Sequence, residues 1–285
     1  SGSGAARVVV IGPEPRLRDP AAGPLTPGDE VLTQALAQGL VGFDQSGNIV
    51  GALAERWNVS DDGLSYIFRL APATWSDGRK VSAEQVARAL KRSMNPAGRN
   101  PLRDTLGAVA DVVAMTDRVI EIRLAAPRPN LLALLAQPQY AILRSGHGTG
   151  PFILAAERDE GWLQLSRTVA ADDDAEEQVE RVRLAGRDAE AAVTGFVNGD
   201  SDLVVGGTFA DLATARRADV PRRSLRFDPA SGLFGLVPLA GGIGAEAEAR
   251  QLLSEAIDRD GLLAALAVPG LAPRATLLEP GLDGG

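Results

Sequence analysis

The stretch Leu53-Ala-Glu-Arg-Trp-Asn-Val-Ser-Asp-Asp-Gly-Leu-Ser-Tyr-Ile-Phe-Arg-Leu70, followed by Trp75-Ser-Asp-Gly78 and Ser82-Ala-Glu-Gln-Val-Ala87, decides how this chain is read. Asp61-Asp62-Gly63 is turn chemistry: Asp closes local hydrogen bonds and Gly accepts a left-handed backbone. Tyr66, Phe68 and Leu70 then alternate with Ile67 and Arg69, the period of a strand with one buried face. Asp77-Gly78 makes a second turn. Ser82 and Gln85 stand at capping-box spacing and open a helix with Val86, Ala89 and Leu90 on one side. This is dense local specification with no catalytic pattern in it. It points to a scaffold for binding.

Composition narrows the function classes. The 285 residues suffice for about two domains, and 45% are hydrophobic, so a sizeable core is available. A net charge of −8 argues against nucleic acid as a partner, because phosphate binding needs a basic surface. No run of 18 apolar residues occurs, so no helix is expected to span a membrane. Ser1-Gly-Ser-Gly4 reads as an expression scar in place of a removed leader. Cysteine is absent, which removes disulfides, thiolate nucleophiles and cysteine metal sites together. The single histidine, His147, lies in the loop Arg144-Ser-Gly-His-Gly-Thr-Gly150. A Ser-His-Asp triad would have to pass through it, and no Gly-x-Ser-x-Gly elbow precedes a helix. The expectation is therefore an exposed loop histidine, no catalytic residue, no metal site and no cofactor.

Along the chain, Arg7-Val-Val-Val-Ile11 reads as a buried strand stopped by Gly12-Pro13. Pro13 to Gly28 reads as an extended surface loop, after which Asp29 caps a helix carrying Val31, Leu32, Ala35, Leu36 and Leu40. Phe43 to Ile49 predicts a hairpin turn, Val119 to Leu124 a strand, and Leu131 to Leu135 a short helix. In the second half, Phe152-Ile-Leu154 and Trp162-Leu-Gln-Leu165 predict paired strands, and Ala170 to Glu177 is a solvated acidic loop. Val182-Arg-Leu184 and Leu203-Val-Val205 predict strands on either side of a helix capped by Asp188. Gly206-Gly-Thr-Phe-Ala-Asp-Leu212 matches neither phosphate-binding glycine pattern. Leu225-Arg-Phe227 and Leu233 to Val237 read as strands, and Glu246 to Ala267 as a helical stretch broken at Asp258. The alternation predicts a mixed α/β (α+β) fold with some parallel strand pairs.

Several segments, in order and spacing, resemble the extracytoplasmic solute-binding proteins of the dipeptide, oligopeptide and nickel transport systems. They are Gly39-Leu-Val-Gly-Phe-Asp44, the opening stretch from Leu53 to Val86, Asn95-Pro96, Gly148-Thr-Gly-Pro-Phe152, Gly199-Asp-Ser-Asp202 and Ala256-Ile-Asp-Arg259. The resemblance covers nearly the whole chain. It implies a periplasmic-binding-protein-like lobe with a mixed sheet flanked by helices. Residues 5–45 and 150–270 would form a discontinuous main lobe, 46–149 an inserted α+β subdomain, and 271–285 the start of a connection to a second lobe. On that reading residues 1–4 are scar and the chain is an N-terminal portion, with half of the solute cleft and weak binding by itself.

The resemblance implies a periplasmic, monomeric, nonenzymatic component of an ABC importer. Its partners would be a peptide or other small solute and the membrane permease subunits. In peptide-binding relatives an extended segment soon after the first strand pairs with the peptide backbone, which by position is Pro24, Leu25 and Thr26. Pro24 and Pro27 lack N–H donors, which limits any ladder there. Arg99 and Asn100, in the loop Arg99-Asn-Pro-Leu102, and Ser231 and Phe234, in Ser231-Gly-Leu-Phe234, complete the candidate ligand-facing set. Arg99 could hold a carboxylate. Trp57, Trp75, Tyr66 and Phe68 belong to the core on this reading. A non-transport interaction or signalling module built on the same lobe is the alternative, and a hydrolase the third.

Overall fold

The computed structural model describes residues 4–155, 161–169, 177–227, 235, 237, 241–268 and 270–274. They fall into two compact units, Ser1–Gly207 and Thr208–Gly285.

The first unit is organised around β1, Ala6–Ile11. Its Val8-Val9-Val10 run is β-branched, which suits a strand covered on both faces. β1 pairs in parallel with two strands from far along the chain, β10 (Gln178–Arg187) and β11 (Leu203–Gly206). β10 continues antiparallel to β9 (Leu163–Val169), and β9 to the short β8 (Ile153–Leu154). The sheet order is β11-β1-β10-β9-β8, so the predicted mixed sheet is present. Val10 points to a cluster with Leu163, Leu165 and Leu184 of the sheet and with Leu32 and Leu36 of helix α1, Pro27–Leu36. Val9 and Ala185, paired side by side, are buried on the opposite face, the side from which helix α4, Ala189–Asn198, meets β1 and β10. Asp188 caps α4 as expected, accepting from Ala191 N–H at 2.8 Å.

Residues 40–142 build a second, larger core. The hairpin β2 (Val41–Phe43) and β3 (Ile49–Gly51) precedes a four-stranded antiparallel sheet in the order β4-β5-β7-β6. Its strands are Ala54–Val59, Ser65–Leu70, Val119–Leu124 and Val109–Thr116 for β4, β5, β7 and β6. The alternation read from Tyr66 to Leu70 holds: Tyr66, Phe68 and Leu70 are buried and Ile67 and Arg69 exposed. Helix α2, Ala83–Ser93, opens with the predicted Ser82/Gln85 capping box. Gln85 does two jobs, since its Oε1 accepts from Ser82 N–H at 3.2 Å and from the buried Trp75 indole N–H at 2.9 Å. The cap thus also supplies the partner that a buried indole needs. Val86 and Leu90 of α2 join Phe68, Ile120, Ile122 and Tyr140, with the short helix α3 (Leu131–Leu135) closing the end. Strands β4 and β6 were not expected, because Glu55, Arg56 and Asp111 interrupt their apolar pattern. Both gain their strand character from hydrogen bonding to β5 and β7.

The chain re-enters the first sheet by running along the end of α1. Gly150 N–H donates to Leu36 O and Phe152 N–H to Ala35 O, both at 3.0 Å. A Cβ at Gly148 or Gly150 would stand 2.2 or 2.4 Å from the α1 backbone, so these two glycines admit the close approach.

The second unit contains α5 (Phe209–Arg217), α6 (Ala247–Ala256) and α7 (Arg259–Leu266). α5 follows Gly206-Gly207, and Thr208 and Asp211 form its capping box. Leu225–Phe227 carries no strand among the described residues, while Arg222–Ser224 is a 3-10 turn. Most of Leu233–Val237 and of the acidic Ala170–Glu177 run lies outside the described residues. Asp258 caps α7 as read, through Gly261 N–H at 2.9 Å.

Phe68, wholly buried, should cost about 3–5 kcal/mol of unit stability when replaced by Ala. Ile67→Ala next to it, 44% exposed, should cost under about 0.5 kcal/mol in the same urea titration. Asp202 grips Arg7 of β1 from the approach to β11, through the Arg7 N–H at 2.8 Å and the guanidinium at 2.9 Å. The side-chain bond from Arg7, then its backbone bond, hold the Asp202 carboxyl below the usual range. A carboxyl depressed in the folded state stabilises above its unfolded pKa and loses that contribution as pH falls through the folded value. The stability gap between the native chain and Asp202→Asn should therefore be present at neutral pH and close in acid; a gap that widens in acid would be wrong in sign.

Candidate functional site

Helix α1 begins three residues earlier than Asp29 predicts. Thr26 is the cap, Pro27 takes the first helical position, and Asp29 sits at the third. Thr26 Oγ1 accepts from Asp29 N–H at 3.2 Å, and Asp29 Oδ2 accepts from Thr26 N–H at 3.1 Å, a reciprocal box. The helix also ends at Leu36, so Leu40 belongs to the second core.

The Asp29 side chain is only 1% exposed, which is rare for a carboxylate unless it is fully engaged. Besides Thr26 it accepts from the Arg16 backbone N–H at 2.8 Å and pairs with the Arg18 guanidinium at 3.1 Å. The loop predicted for residues 13–28 is accordingly ordered: Asp19 caps a short 3-10 turn at Pro20–Ala22, and its other oxygen pairs with Arg92 of α2 at 2.9 Å.

Two of the three candidate segments come together. Arg99 N–H donates to Ala21 O at 3.3 Å, which ties the Arg99 loop to the turn just before Pro24–Thr26. Pro24 is exposed, and Leu25 and Thr26 are half-buried. Among the described residues the Leu25 N–H and the Pro24 and Leu25 carbonyls have no hydrogen-bond partner. The Thr26 N–H is already used by Asp29. The strip thus offers one donor and two acceptors. Arg99 is exposed, and among the described residues its guanidinium makes no ion pair or hydrogen bond.

Asn100 differs in kind. It is wholly buried, its amide donates to Gln139 O at 2.8 Å, and its Oδ1 accepts from Leu102 N–H at 3.0 Å. Gln139 reaches on to Glu30 of α1 at 2.7 Å. Asn100 therefore has no amide donor or acceptor aimed at solvent; it shapes the loop that displays Arg99. Sequence reading missed this seam, although an Asn two residues before a backbone N–H is the signature of an Asx turn. Ser231 and Phe234 lie outside the described residues.

His147 is half-buried and not the exposed loop residue expected: its Nδ1 stands 2.9 Å from Ser76 Oγ. It lies in the tight turn where Arg144 pairs with Asp77 and stacks over Trp75, 5.7 Å from the ring centre. These contacts staple the returning chain to the Trp75 turn. Among the described residues no three His, Asp or Glu side chains gather as a metal site.

A family model described as bacterial extracellular solute-binding proteins, family 5 Middle, matches residues 48–285. The chain is 32% identical to the probable deoxycholate-binding periplasmic protein YgiS of Escherichia coli (strain K12) over 121 residues, 36% of this chain and 23% of that protein. It is 29% identical to the glutathione-binding protein GsiB of Escherichia coli (strain K12) over 157 residues, 49% of this chain and 31% of the relative. Among solved structures, the unliganded open form of the periplasmic murein tripeptide binding protein MppA superposes with a TM-score of 0.63 at 20% identity, over 78% of this chain and 49% of that one. The binding protein AgaA from A. tumefacien R10, in complex with agropinic acid, gives 0.62 at 23%, over 74% and 45%. Both structural likenesses show a shared fold. The chain spans 23–31% of the length of these two curated relatives.

Asn100→Ala leaves the Gln139 carbonyl and the Leu102 N–H without partners in a buried place, which should cost about 1–3 kcal/mol. Urea unfolding checks the cost. Amide exchange should locate it, with faster exchange at Leu102 and unchanged exchange in β1.

Proposed function

The chain belongs to the bacterial extracellular solute-binding proteins, family 5, and from that membership we propose that it forms one wall of a solute cleft in the binding component of an ABC importer. The solute is a short peptide or a peptide-like molecule. The observation that carries this is the strip Pro24–Leu25, with a free Leu25 N–H and free Pro24 and Leu25 carbonyls, whose preceding turn is tied to the loop bearing the unpaired Arg99 guanidinium. Free main-chain groups accept any peptide by strand pairing, without reading its side chains. The exposed arginine fork on the tied loop suits a carboxylate. The glutathione-binding relatives support the same class, since glutathione is itself a peptide.

The rest of the proposal follows the family. The protein acts outside the cytoplasm, in the periplasm, as a monomer, and delivers its solute to permease subunits in the membrane. It performs no chemistry on the solute. Within the first unit, residues 5–45 and the strands after residue 150 serve as the main lobe, and 46–149 as an inserted subdomain. This division is supported by the two sheets, one drawing strands from both ends of the unit and the other lying wholly within residues 54–124.

Isotope-labelled chain titrated with a free tripeptide should show saturable amide shifts at Leu25, Thr26 and Arg99. One cleft wall makes a fraction of the final contacts, so the affinity expected is on the order of millimolar. Blocking the tripeptide's carboxylate as an amide should weaken it, and Arg99→Gln should abolish that difference. Shifts confined to residues elsewhere, or none up to saturation of the peptide, would refute the assignment of this strip.

A further inference from the structure

The capping role of Asp29 needs only the Thr26 N–H. Its carboxylate takes two further donors, the Arg16 N–H and the Arg18 guanidinium, from a stretch of chain more than ten residues upstream. One buried carboxylate thus holds both the incoming and the outgoing foot of the excursion from Asp19 to Leu25. The far side of that excursion is held separately, by Arg92 on Asp19 and by Arg99 N–H on Ala21 O. Between these anchors lies the strip read above as the peptide-pairing segment.

We infer that Asp29 is the positioning residue for solute recognition: it sets the conformation of Pro24–Thr26 and, by consuming the Thr26 N–H, limits the strip to a two-point contact at Leu25. This rests on the reading of that strip as the peptide-facing segment. Pro24 and Pro27 have no N–H. With Thr26 N–H bound to Asp29, the one donor left between residues 24 and 27 is Leu25 N–H. A peptide can therefore pair in a single register, with its own C=O and N–H facing Leu25. An amide cannot substitute for the carboxylate. The two Asp29 oxygens accept on different sides, Oδ1 from Arg16 and Oδ2 from Thr26 and Arg18. An Asn offers one acceptor and turns an NH2 group toward the other donors, whichever way it is flipped.

The test compares the native chain with Asp29→Asn and Arg18→Gln, at a temperature where circular dichroism shows each folded. Amide exchange at Arg16 and Thr26 should quicken at least tenfold in Asp29→Asn while β1 and β5 exchange as before; equal exchange at both amides would overturn the clamp. Titration with a free tripeptide, read at the Leu25 amide, should give at least about fivefold weaker binding for Asp29→Asn. Native chain that binds at Leu25 together with Asp29→Asn that binds equally well removes this inference and leaves the proposed function standing. Native chain with no response at Leu25 removes the proposed function and the inference with it. A variant that is less stable but binds unchanged in its folded fraction shows a structural role alone, and also overturns the inference. If Asp29→Asn does not fold, Arg18→Gln decides, since Arg18 is half-exposed: about threefold weaker tripeptide binding supports the clamp, and unchanged binding overturns it.

Discussion

The parallel pairing of β1 with β10 and β11 constrains everything else in the first unit. Six residues near the start of the chain are held by strands that arrive more than 160 residues later. Such pairing rewards the chain only after a long loop has closed. The intervening sequence does not remain a loop. It condenses into its own sheet and core around Phe68, Ile120, Ile122 and Trp75, and this shortens the effective closure to the few residues that leave and re-enter the main sheet. The return path is narrow. Gly148 and Gly150 lie against the backbone at the end of α1, where any side chain would collide.

The two bodies of this unit meet through polar contacts as well as through packing. Asp19 with Arg92, Arg99 N–H with Ala21 O, and the Asn100–Gln139–Glu30 chain join α1 and the loop before it to α2, the Arg99 loop and the turn at Gln139. Hydrogen bonds and ion pairs have direction, and they place a strip of backbone more closely than apolar contact does. The exposed members contribute little stability individually. Their effect is geometric: they tie the turn before α1 to α2 and to the Arg99 loop.

Where the pattern was local, the sequence was readable. The turn at Asp61-Asp62-Gly63, the alternation from Tyr66 to Leu70, and the caps at Ser82, Asp188 and Asp258 each depend on residues within one turn of each other. Where the deciding partner was distant, it was not. β4 and β6 read poorly because charged residues break their pattern, and only a neighbouring strand makes them strands. The cap of α1 was displaced from Thr26 to Asp29 because both residues are good caps in isolation; what assigns Asp29 to the interior is its second task, accepting from Arg16 and Arg18. Asn100 was read as solute-facing because a polar loop residue is exposed by default, and its burial depends on Gln139, which no local pattern reveals.

By itself, then, the stretch from Leu53 to Ala87 determined the turns, the strand, the capped helix and through them the family, since those features arise from backbone preferences and hydrogen bonds a few residues apart. The tertiary structure alone decided which of the candidate residues share a surface. Pro24 and Leu25 lie more than seventy residues from Arg99, and only the folded unit ties the Arg99 loop to the turn before Pro24, through the Arg99 N–H on Ala21 O.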